Sequence, residues 1–507
     1  MEDLNILYNF KNPIRHFFNI NNVKFNASEN LQFKDLVWTL PIKFNIYKSE
    51  TETRCIGFPN ILNFYHAVKN FENEINFSSI KNISNKKRVN PDLITGEFSV
   101  LSYYESIQKD LFYLTKYDKL LILDIKSFYG RIYTHDFKIE DEKVRRITSL
   151  NNGRTNGILL GSYLSLFIAE KFLFEIEKNL DYQLQENNID CHYEYFSDDF
   201  YFFCNNNDIE KIITIFEEVL NQYDLQINYE KKIIYDFEEY SKNNNLEKLW
   251  KKIINISIEN DRKAELQRRW EKEYLGHPAF FTQLVYRLGQ ITEIKYKRIF
   301  LANFFKTYYF NELKPELYTL SDSDFNYICY IYKLMPETII YSLPKIKEIN
   351  NFNAIKFKDF VNTRFAVSLK NKKFEDQVYF YYAMKICDFD EELKKLKEEV
   401  VYTGNQILIS YYLIDKFISK EEYNNFFPNK REQDWLQNYH YVLTYDKDNL
   451  ELLIPDHAKD NDNKKKSYYA FYKENLDNNI SFLRSIDQVE TAVDEFIELK
   501  IHSYNKQ

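Results

Sequence analysis

Short apolar runs that lead into acidic residues mark the first half of the chain. Residues 119–124 read KLLILD, so that four apolar residues are followed directly by Asp124. Residues 194–203 read EYFSDDFYFF, in which aromatic residues surround Asp198 and Asp199. Apolar and aromatic runs of this length are typical of buried strands. The pattern therefore predicts a strand that ends at Asp124 and aromatic strand segments on both sides of Asp198-Asp199.

A helical spacing of apolar residues dominates the second half. Leu393, Leu396 and Val400 fall on one face of a predicted helix, and Val493 and Phe496 repeat that spacing near the end of the chain. Prolines in the segments LKPEL, LMPET, SLPKI and FFPNK are expected to separate successive helices, because proline interrupts a helix. The pattern predicts paired helices of the helical-repeat kind, although the sequence shows no clear repeat period.

These patterns predict an α+β first domain over residues 1–245 and an all-α domain over residues 246–507. The polar segment YSKNNNLEK places the boundary near residue 245. Six of the nine glycines precede residue 162, so tight turns concentrate in the first domain. A chain of 507 residues is long enough for two hydrophobic cores.

The pair Asp198-Asp199 has two possible roles. A Ser-Asp-Asp sequence between two apolar runs is typical of a tight hairpin turn. Adjacent carboxylates among aromatic residues also repel each other and lose hydration, and a divalent cation would offset both costs. Asp124 by itself is typical of a helix cap or a loop. If Asp124 ends a neighbouring strand, however, it can approach Asp198 and help to form a Mg²⁺ site.

Two further segments contain residue types suited to a ligand site. Gly157, Gly161 and Ser162 open an apolar helix, where glycines allow a ligand close to the backbone. The same residues are equally typical of a helix start that packs tightly. The segment LQINYEKKIIYDF is strand-like and places Lys231 three residues after Asn228. A single lysine there would ordinarily be solvated.

Composition and charge exclude several classes of protein. Five cysteines without a Cys-x-x-Cys pair argue against a zinc ribbon or a disulfide framework and fit a reducing compartment. The net charge of −8 argues against an extended duplex-binding groove. No apolar run reaches about 18 residues, and the amino terminus lacks the basic region of a signal peptide. We therefore expect a cytoplasmic protein without a membrane partner.

Taken in order, the four segments resemble the motifs of reverse transcriptases. LDIKSFYG resembles motif A, GILLGSYLS resembles motif B, FSDD resembles the Tyr-x-Asp-Asp of motif C, and INYEKK resembles the Asn-x-x-Lys of motif D. Motif B lacks its usual proline, since Leu159 stands there, and motif C begins with Phe196 instead of tyrosine. The resemblance implies reverse-transcriptase-like fingers and palm in the first domain.

Among reverse transcriptases, the chain resembles the abortive-infection (Abi) polymerases of bacterial phage defence, AbiK type. The segments LDIKSFYGRIYTH, DWLQNYHYVL and the finger-like residues 41–68 carry this resemblance. It implies a HEAT-like helical domain in place of a thumb and a homo-oligomer, a trimer or a hexamer. It also implies template-independent DNA synthesis that starts from a tyrosine of the protein itself. The acidic charge balance agrees, because an enzyme without a template duplex needs no long basic groove.

The resemblance further implies a two-metal transfer of dNTPs. Asp124, Asp198 and Asp199 would hold two Mg²⁺ ions, and Lys231 would protonate the departing pyrophosphate. The residues implied in nucleotide contacts are Tyr129 as the gate against a ribose 2′-hydroxyl, Phe128 beside it, Gly161 and Ser162 under the incoming base, and Arg54, Lys87 and Arg88 near the triphosphate.

A tyrosine near the amino terminus is the implied priming residue. Tyr8 is the first choice because it alone precedes the finger-like segment, and Tyr47 is the second. The alternative for Tyr8 is an aromatic anchor that only packs. The product would then be single-stranded DNA covalently attached to the protein. Two rival hypotheses stay open: a templated RNA-directed DNA polymerase of another bacterial defence class, and a scaffold whose palm is catalytically vestigial.

Overall fold

The structure is a computed structural model. It describes residues 3–29, 31–49, 52–71, 74–75, 77–92, 95, 97–98, 100–136, 141–243, 288–289, 291, 294–306, 310 and 314–504. The predicted boundary near residue 245 lies outside these residues.

The chain divides into two compact units that do not follow one cut in the sequence. The first unit comprises Met1–Phe10, Trp38–Pro41 and Gly57–Lys252, and the second comprises Lys11–Val37, Ile42–Ile56 and Ile253–Gln507. This division differs from a cut at residue 245, because two amino-terminal segments belong to the second unit.

A four-stranded antiparallel sheet forms the centre of the first unit. Its order is β4 (Cys191–Phe196), β5 (Asp199–Cys204), β3 (Lys119–Asp124) and β6 (Ile233–Tyr235). The predicted strand that ends at Asp124 is confirmed. The strand-like reading of residues 225–237 is correct only for the three residues of β6, because the preceding residues form the 3₁₀ turn Tyr229–Lys231.

One face of this sheet is covered by helices. Phe200 and Phe202 of β5 contact Phe216 of the helix Ile209–Asn221 with ring centroids 4.8 and 5.5 Å apart. Because side chains alternate along a strand, Asp199 lies on the opposite face from Phe200. The α-helices described in the first unit are Leu4–Tyr8, Ile61–Lys69, Phe77–Asn82, Val100–Tyr113, Phe128–Arg131, Asp141–Ser149, Tyr163–Glu186, Ile209–Asn221 and Phe237–Asn243, and its further 3₁₀ turns are Thr134–Asp136 and Asn206–Asp208.

Helices make up most of the second unit. A two-stranded sheet of β1 (Ile42–Tyr47) and β2 (Thr53–Phe58) accompanies them, although β2 continues into the first unit. The α-helices among the described residues of this unit are Asn12–Arg15, Ile294–Phe304, Asp322–Leu334, Ile339–Ile346, Ala354–Lys370, Phe374–Ile386, Asp390–Lys395, Lys397–Thr403, Gln406–Ile414, Lys420–Phe426, Trp435–Tyr445, Asp456–Lys459, Asp462–Asp477 and Ile486–Tyr504. The 3₁₀ turns that the structure describes there are Ile20–Asn22, Asn26–Ser28, Phe33–Asp35, Pro315–Leu317, Pro336–Thr338, Glu432–Asp434 and Leu450–Leu453.

The prolines of the second unit interrupt helices in only part of the predicted places. Pro315 and Pro336 each begin a 3₁₀ turn. Pro344 instead lies inside the helix Ile339–Ile346, so the expected interruption at SLPKI is wrong. A regular helical repeat stays a prediction.

Buried tyrosines form much of the core of the second unit. The hydroxyl of Tyr412 donates to the carbonyl of Leu393 at 2.9 Å, and the hydroxyl of Tyr439 donates to that of Ile480 at 2.6 Å. The ring of Tyr439 also stacks on Phe482 with centroids 3.7 Å apart. A buried tyrosine hydroxyl usually finds such a partner, and these bonds supply one for Tyr412 and for Tyr439. No helix among the described residues is long and apolar enough to cross a bilayer.

Candidate active site

A tight hairpin places the two adjacent aspartates. Phe196, the last residue of β4, pairs with Asp199, the first residue of β5. Ser197 and Asp198 between them form a two-residue turn. Ser197 adopts a left-handed backbone conformation with φ 55°, as primed hairpin turns require. The hairpin interpretation of this segment is therefore confirmed.

The same hairpin brings three carboxylates together. Asp199 lies opposite Asp124 in the register of β5 and β3, and the amide of Ile125 donates to the carbonyl of Asp198 at 2.9 Å. Carboxylate oxygens of Asp124, Asp198 and Asp199 lie within 4.8 Å of one another. Within the described part of the chain, this is the one group of three or more potential metal ligands that lie so close.

Asp124 is the best-held member of the cluster. Its carboxylate accepts a hydrogen bond from the side-chain amide of Asn228 at 2.8 Å and another from the ammonium group of Lys231. The backbone amide of Asn228 also donates to the carbonyl of Asp124 at 2.7 Å. The Lys231 side chain is 55% exposed, whereas that of Asp124 is 3% exposed. Asn228 was not among the predicted site residues, although it is the first residue of the Asn-x-x-Lys pattern.

The electrostatics of the cluster fit a divalent cation. Burial raises the pKa of Asp198, and the charge of Asp124 adds to this rise. Burial, together with the charges of Asp198 and Asp124, raises the pKa of Asp199 to about 6. Burial opposes a raised pKa of Lys231, but its hydrogen bond to Asp124 and the charge of that carboxylate raise the pKa nevertheless. Three oxygen-ligand side chains with one ammonium partner retain excess negative charge, which suits Mg²⁺.

Gly157, Gly161 and Ser162 build the approach to the long helix. Ser162 caps the helix Tyr163–Glu186 by accepting a hydrogen bond from the amide of Ser165 at 3.2 Å. The predicted helix start is confirmed. Gly157 has φ 86°, and a Cβ there would lie 3.0 Å from the carbonyl oxygen of Gly130. This glycine therefore allows the backbone after Asp124 to pass close by.

Phe128 and Tyr129 begin the short helix that follows Asp124. Phe128 is buried against Phe172 with centroids 6.3 Å apart, whereas Tyr129 is half-buried. The carbonyl of Tyr129 accepts a hydrogen bond from the amide of Ile158 at 2.9 Å. Tyr129 is thus attached to the segment that contains Gly157 and Gly161.

The three basic residues expected near the triphosphate have different surroundings in the structure. Lys87 forms a buried ion pair with Glu170 at 3.1 Å. Arg88 forms a buried pair with Asp110, with both side chains almost fully enclosed. Arg54 is exposed on β2 but belongs to the second unit. Lys87 and Arg88 are therefore both paired with buried carboxylates, and a contact of either one with the triphosphate stays a prediction.

Both candidate priming tyrosines are enclosed to different degrees: Tyr8 is buried in a short helix, and Tyr47 is half-buried at the end of β1. Tyr8 is fully buried at the end of the helix Leu4–Tyr8, and its hydroxyl donates to the carbonyl of Pro59 at 2.6 Å. Its ring packs between Phe58 and Phe64. Tyr47 lies in the second unit beneath the guanidinium of Arg298, which is 3.6 Å from its ring centroid. The expectation of an extended segment at Tyr8 is wrong, and the anchoring alternative describes its contacts.

Comparison with known proteins agrees with the geometry of the cluster. A comparison with curated proteins found no match to the chain. A family model does match, and the matched residues include Asp124, Asp198, Asp199 and Lys231. Residues 63–278 match the model of the reverse transcriptase (RNA-dependent DNA polymerase) family.

Proposed function

We propose that this protein is a Mg²⁺-dependent nucleotide polymerase whose active site is formed by Asp124, Asp198 and Asp199. The observation that carries the proposal is the convergence of these carboxylates, with oxygens within 4.8 Å of one another, inside the segment that matches the reverse transcriptase family. Two Mg²⁺ ions held there would supply Lewis acidity for nucleotidyl transfer from a nucleoside triphosphate. Asn228 holds Asp124 through two hydrogen bonds, one to its carboxylate and one to its backbone carbonyl.

Two polar groups beside the cluster have proposed roles in the transfer. Lys231 contacts Asp124 while half of its side chain stays exposed, so its ammonium group is available to donate a proton to a departing pyrophosphate. Tyr129 is proposed to exclude a ribose 2′-hydroxyl and so to select deoxynucleotides. Gly161 and Ser162 are proposed to line the floor under the incoming base. These roles follow from the resemblance of the four motifs, and the contacts described above support them.

A finer proposal concerns the type of polymerase. We propose an abortive-infection polymerase that synthesises single-stranded DNA without a template, attached to one of its own tyrosines, in a homo-oligomer. The motif segments around Asp124 and the helical second half support this proposal. The net charge of −8 also supports it, because binding a template duplex is favoured by a basic surface.

The second candidate function is templated synthesis. The matched family is described as an RNA-dependent DNA polymerase, and that description favours an RNA template. A vestigial palm is the weaker rival, because all three carboxylates and their partners Asn228 and Lys231 are retained.

Incorporation of labelled dNTPs with Mg²⁺ tests these proposals. The purified protein is assayed alone and with an RNA template annealed to a DNA primer. Synthesis without added nucleic acid supports template independence, whereas strong stimulation by the template supports the second candidate. Asp124→Asn and Asp198→Asn are expected to abolish incorporation in either case. Asp322→Asn, which makes the same change at a side chain that is 85% exposed, is the control. Wild-type incorporation by both site variants would overturn the assignment.

A further inference from the structure

A buried polar network lies on the same face of the sheet as Asp199. The guanidinium of Arg88 donates two hydrogen bonds of 2.7 Å to the two carboxylate oxygens of Asp110. The hydroxyl of Tyr240 donates to one of those oxygens. The side chains of Arg88 and Asp110 are 6% and 0% exposed. This network of three residues joins the segment before the helix Val100–Tyr113, that helix, and the helix Phe237–Asn243.

Arg88 reaches the network from the edge of the sheet. Its backbone amide donates to the carbonyl of Tyr195 at 2.9 Å, and the amide of Tyr195 donates to the carbonyl of Lys86 at 2.9 Å. Residues 86–88 therefore run beside β4 as a short added strand. The Arg88 side chain then crosses to β5, where its guanidinium carbon lies 3.9 Å from the centroid of Tyr201.

Tyr201 connects the network to the catalytic cluster. Asp199 and Tyr201 are two residues apart in β5, so their side chains project from the same face of the sheet. Glu194 lies opposite Tyr201 in β4 and contacts Arg88 at 3.5 Å. The Arg88 guanidinium thus joins β4 and β5 two residue pairs away from the pair that closes the Asp198 turn. A displacement of β5 here would move Asp199 as well.

Energetic considerations favour a positioning role over a purely stabilising one. Burying an ion pair costs desolvation energy that its Coulomb attraction often fails to exceed, so an apolar replacement would serve stability equally well. A planar guanidinium that binds a carboxylate with two hydrogen bonds fixes distance and angle together. Hydrogen-bonded groups behind metal ligands also set the affinity for the metal.

We propose that Arg88, Asp110 and Tyr240 are positioning residues that fix β5 so that Asp199 can bind a divalent cation. The proposal rests on the polymerase function proposed above but replaces the expected contact of Arg88 with the triphosphate. The two roles have different consequences. A positioning residue changes metal affinity, whereas a triphosphate contact changes the KM for dNTP.

Binding of Mn²⁺ to the intact protein, followed by electron paramagnetic resonance, tests the proposal without requiring polymerase activity. Asp199→Asn first identifies the signal that belongs to the cluster. Tyr240→Phe removes one hydroxyl, and Asp110→Asn and Arg88→Lys weaken the pair without emptying its site. Each is expected to raise the Mn²⁺ dissociation constant about tenfold. Thermal unfolding checks that each variant is folded.

Glu170→Gln is the matched control. Glu170 also forms a buried ion pair with the same added strand, through Lys87. It lies on the helix Tyr163–Glu186, which packs against the other face of the sheet through Tyr193. This variant is expected to lose stability. Its Mn²⁺ affinity should stay within about twofold of wild type, because Glu170 does not belong to the network that positions Asp199.

Three outcomes decide between the roles. Weaker Mn²⁺ binding in the network variants, but not in Glu170→Gln, supports positioning. Unchanged Mn²⁺ affinity in Tyr240→Phe and Asp110→Asn overturns it, as does a raised KM for dNTP in Arg88→Lys at saturating Mg²⁺. A wild-type protein that binds Mn²⁺ at the cluster yet incorporates no nucleotide would overturn the proposed function, and the affinities would still test positioning.

Discussion

Asp124 and Asp199 lie directly opposite each other in the antiparallel strands β3 and β5. The register of one strand pair therefore sets the spacing between two of the three carboxylates. Apolar pairs on the helix-covered face, such as Leu123 opposite Phe200, hold that register. A slip by one residue would move these apolar side chains to the other face. Packing on one side of the sheet thus determines ligand geometry on the other.

Removing one carboxylate should stabilise the metal-free protein. Burial and the charges of Asp198 and Asp124 raise the pKa of Asp199 to about 6. At pH 8 the carboxylate is ionised in both states, and its charge is less stable in the folded protein than in the unfolded chain. We expect Asp199→Asn to raise the free energy of unfolding by about 1 kcal/mol in the presence of a chelator. Denaturant titration at pH 8 measures this change.

The effect of Mg²⁺ on this stability provides the comparison. Mg²⁺ should stabilise the wild-type protein, because a ligand that binds only the folded state favours it. Asp199→Asn should respond less, so its advantage should shrink or reverse as Mg²⁺ increases. An equal response of both proteins to Mg²⁺ would contradict the assignment of Asp199 as a ligand.

Gly157→Ala should lower the free energy of unfolding by more than backbone strain alone would. The position has φ 86°, and a Cβ would meet the carbonyl oxygen of Gly130 at 3.0 Å. Gly404 has φ 76° with no atom within 4 Å of a Cβ, so Gly404→Ala measures the strain by itself. We expect Gly404→Ala to lower the free energy of unfolding by about 1 kcal/mol. Gly157→Ala should lower it by about 1 kcal/mol more, because of the added contact.

Activity separates these two glycine variants further. The contact with Gly130 lies in the short helix that contains Tyr129, so Gly157→Ala should displace that helix and reduce incorporation. Gly404→Ala should retain normal incorporation, since Gly404 lies in the other unit. Equal stability and equal activity of the two variants would remove the close approach as the reason for glycine at position 157.

Tyr129→Ala should admit ribonucleotides. Removing the half-buried ring opens space beside the helix Phe128–Arg131. We expect the preference for dNTP over rNTP to fall by about tenfold or more. A tenfold change corresponds to roughly 1.4 kcal/mol of lost discrimination. Tyr133→Ala, four residues further on at an exposed tyrosine, is the control and should keep the wild-type ratio. Unchanged discrimination in an active Tyr129→Ala protein would exclude Tyr129 as the gate.

The buried His440 should make the fold sensitive to mild acid. Burial lowers the pKa of His440 to about 3 from its ordinary value of 6.5. Between these pH values the unfolded chain binds a proton that the folded chain does not, so stability falls as the pH drops below 6.5. The slope approaches about 1.4 kcal/mol per pH unit for this one group.

His440→Gln isolates the contribution of this histidine. The imidazole contacts the carbonyl of Leu436 at 2.9 Å and the hydroxyl of Ser481 at 3.2 Å, and an amide can replace either contact. We expect wild type to lose about 1 kcal/mol more than the variant between pH 7 and pH 5.5, measured by denaturant unfolding. Parallel curves for the two proteins would show that His440 does not titrate on unfolding.

The carboxylate cluster was predictable because its signals are local. A strand pattern that ends in Asp124 and an aromatic hairpin around Asp198 both follow from short stretches of sequence. The antiparallel pairing of two such strands then leaves few ways to arrange their ends. Asp124 and Asp198 could therefore be paired correctly across 74 residues of chain.

The partners of the basic residues were not predictable in this way. The sequence around Arg88 indicates an exposed cation, because its partners Asp110 and Tyr240 contact it only in the folded protein. The grouping of β1 with the second unit was not predictable for the same reason. Phe44 of β1 packs on Phe374 with centroids 5.7 Å apart, a contact between distant segments that no local pattern reveals.

Priming from Tyr8 would require its helix to leave the core. The hydroxyl is fully buried and bonded to the carbonyl of Pro59, so no nucleotide can reach it while the ring stays between Phe58 and Phe64. If Tyr8 primes, Tyr8→Phe should carry no attached DNA. It should also lose about 1 kcal/mol of unfolding free energy, because Pro59 loses its donor.

Tyr439→Phe separates priming from stability. Tyr439 is equally buried and also donates to a backbone carbonyl, at 2.6 Å, but lies in the second unit. This variant should lose similar stability and still carry DNA. The nucleotide-bearing peptide is located by mass spectrometry after nuclease and protease digestion of protein incubated with dNTPs and Mg²⁺. Normal DNA on Tyr8→Phe would exclude Tyr8 and make Tyr47→Phe the next variant, whereas wild-type protein without attached DNA would favour templated synthesis from a separate primer.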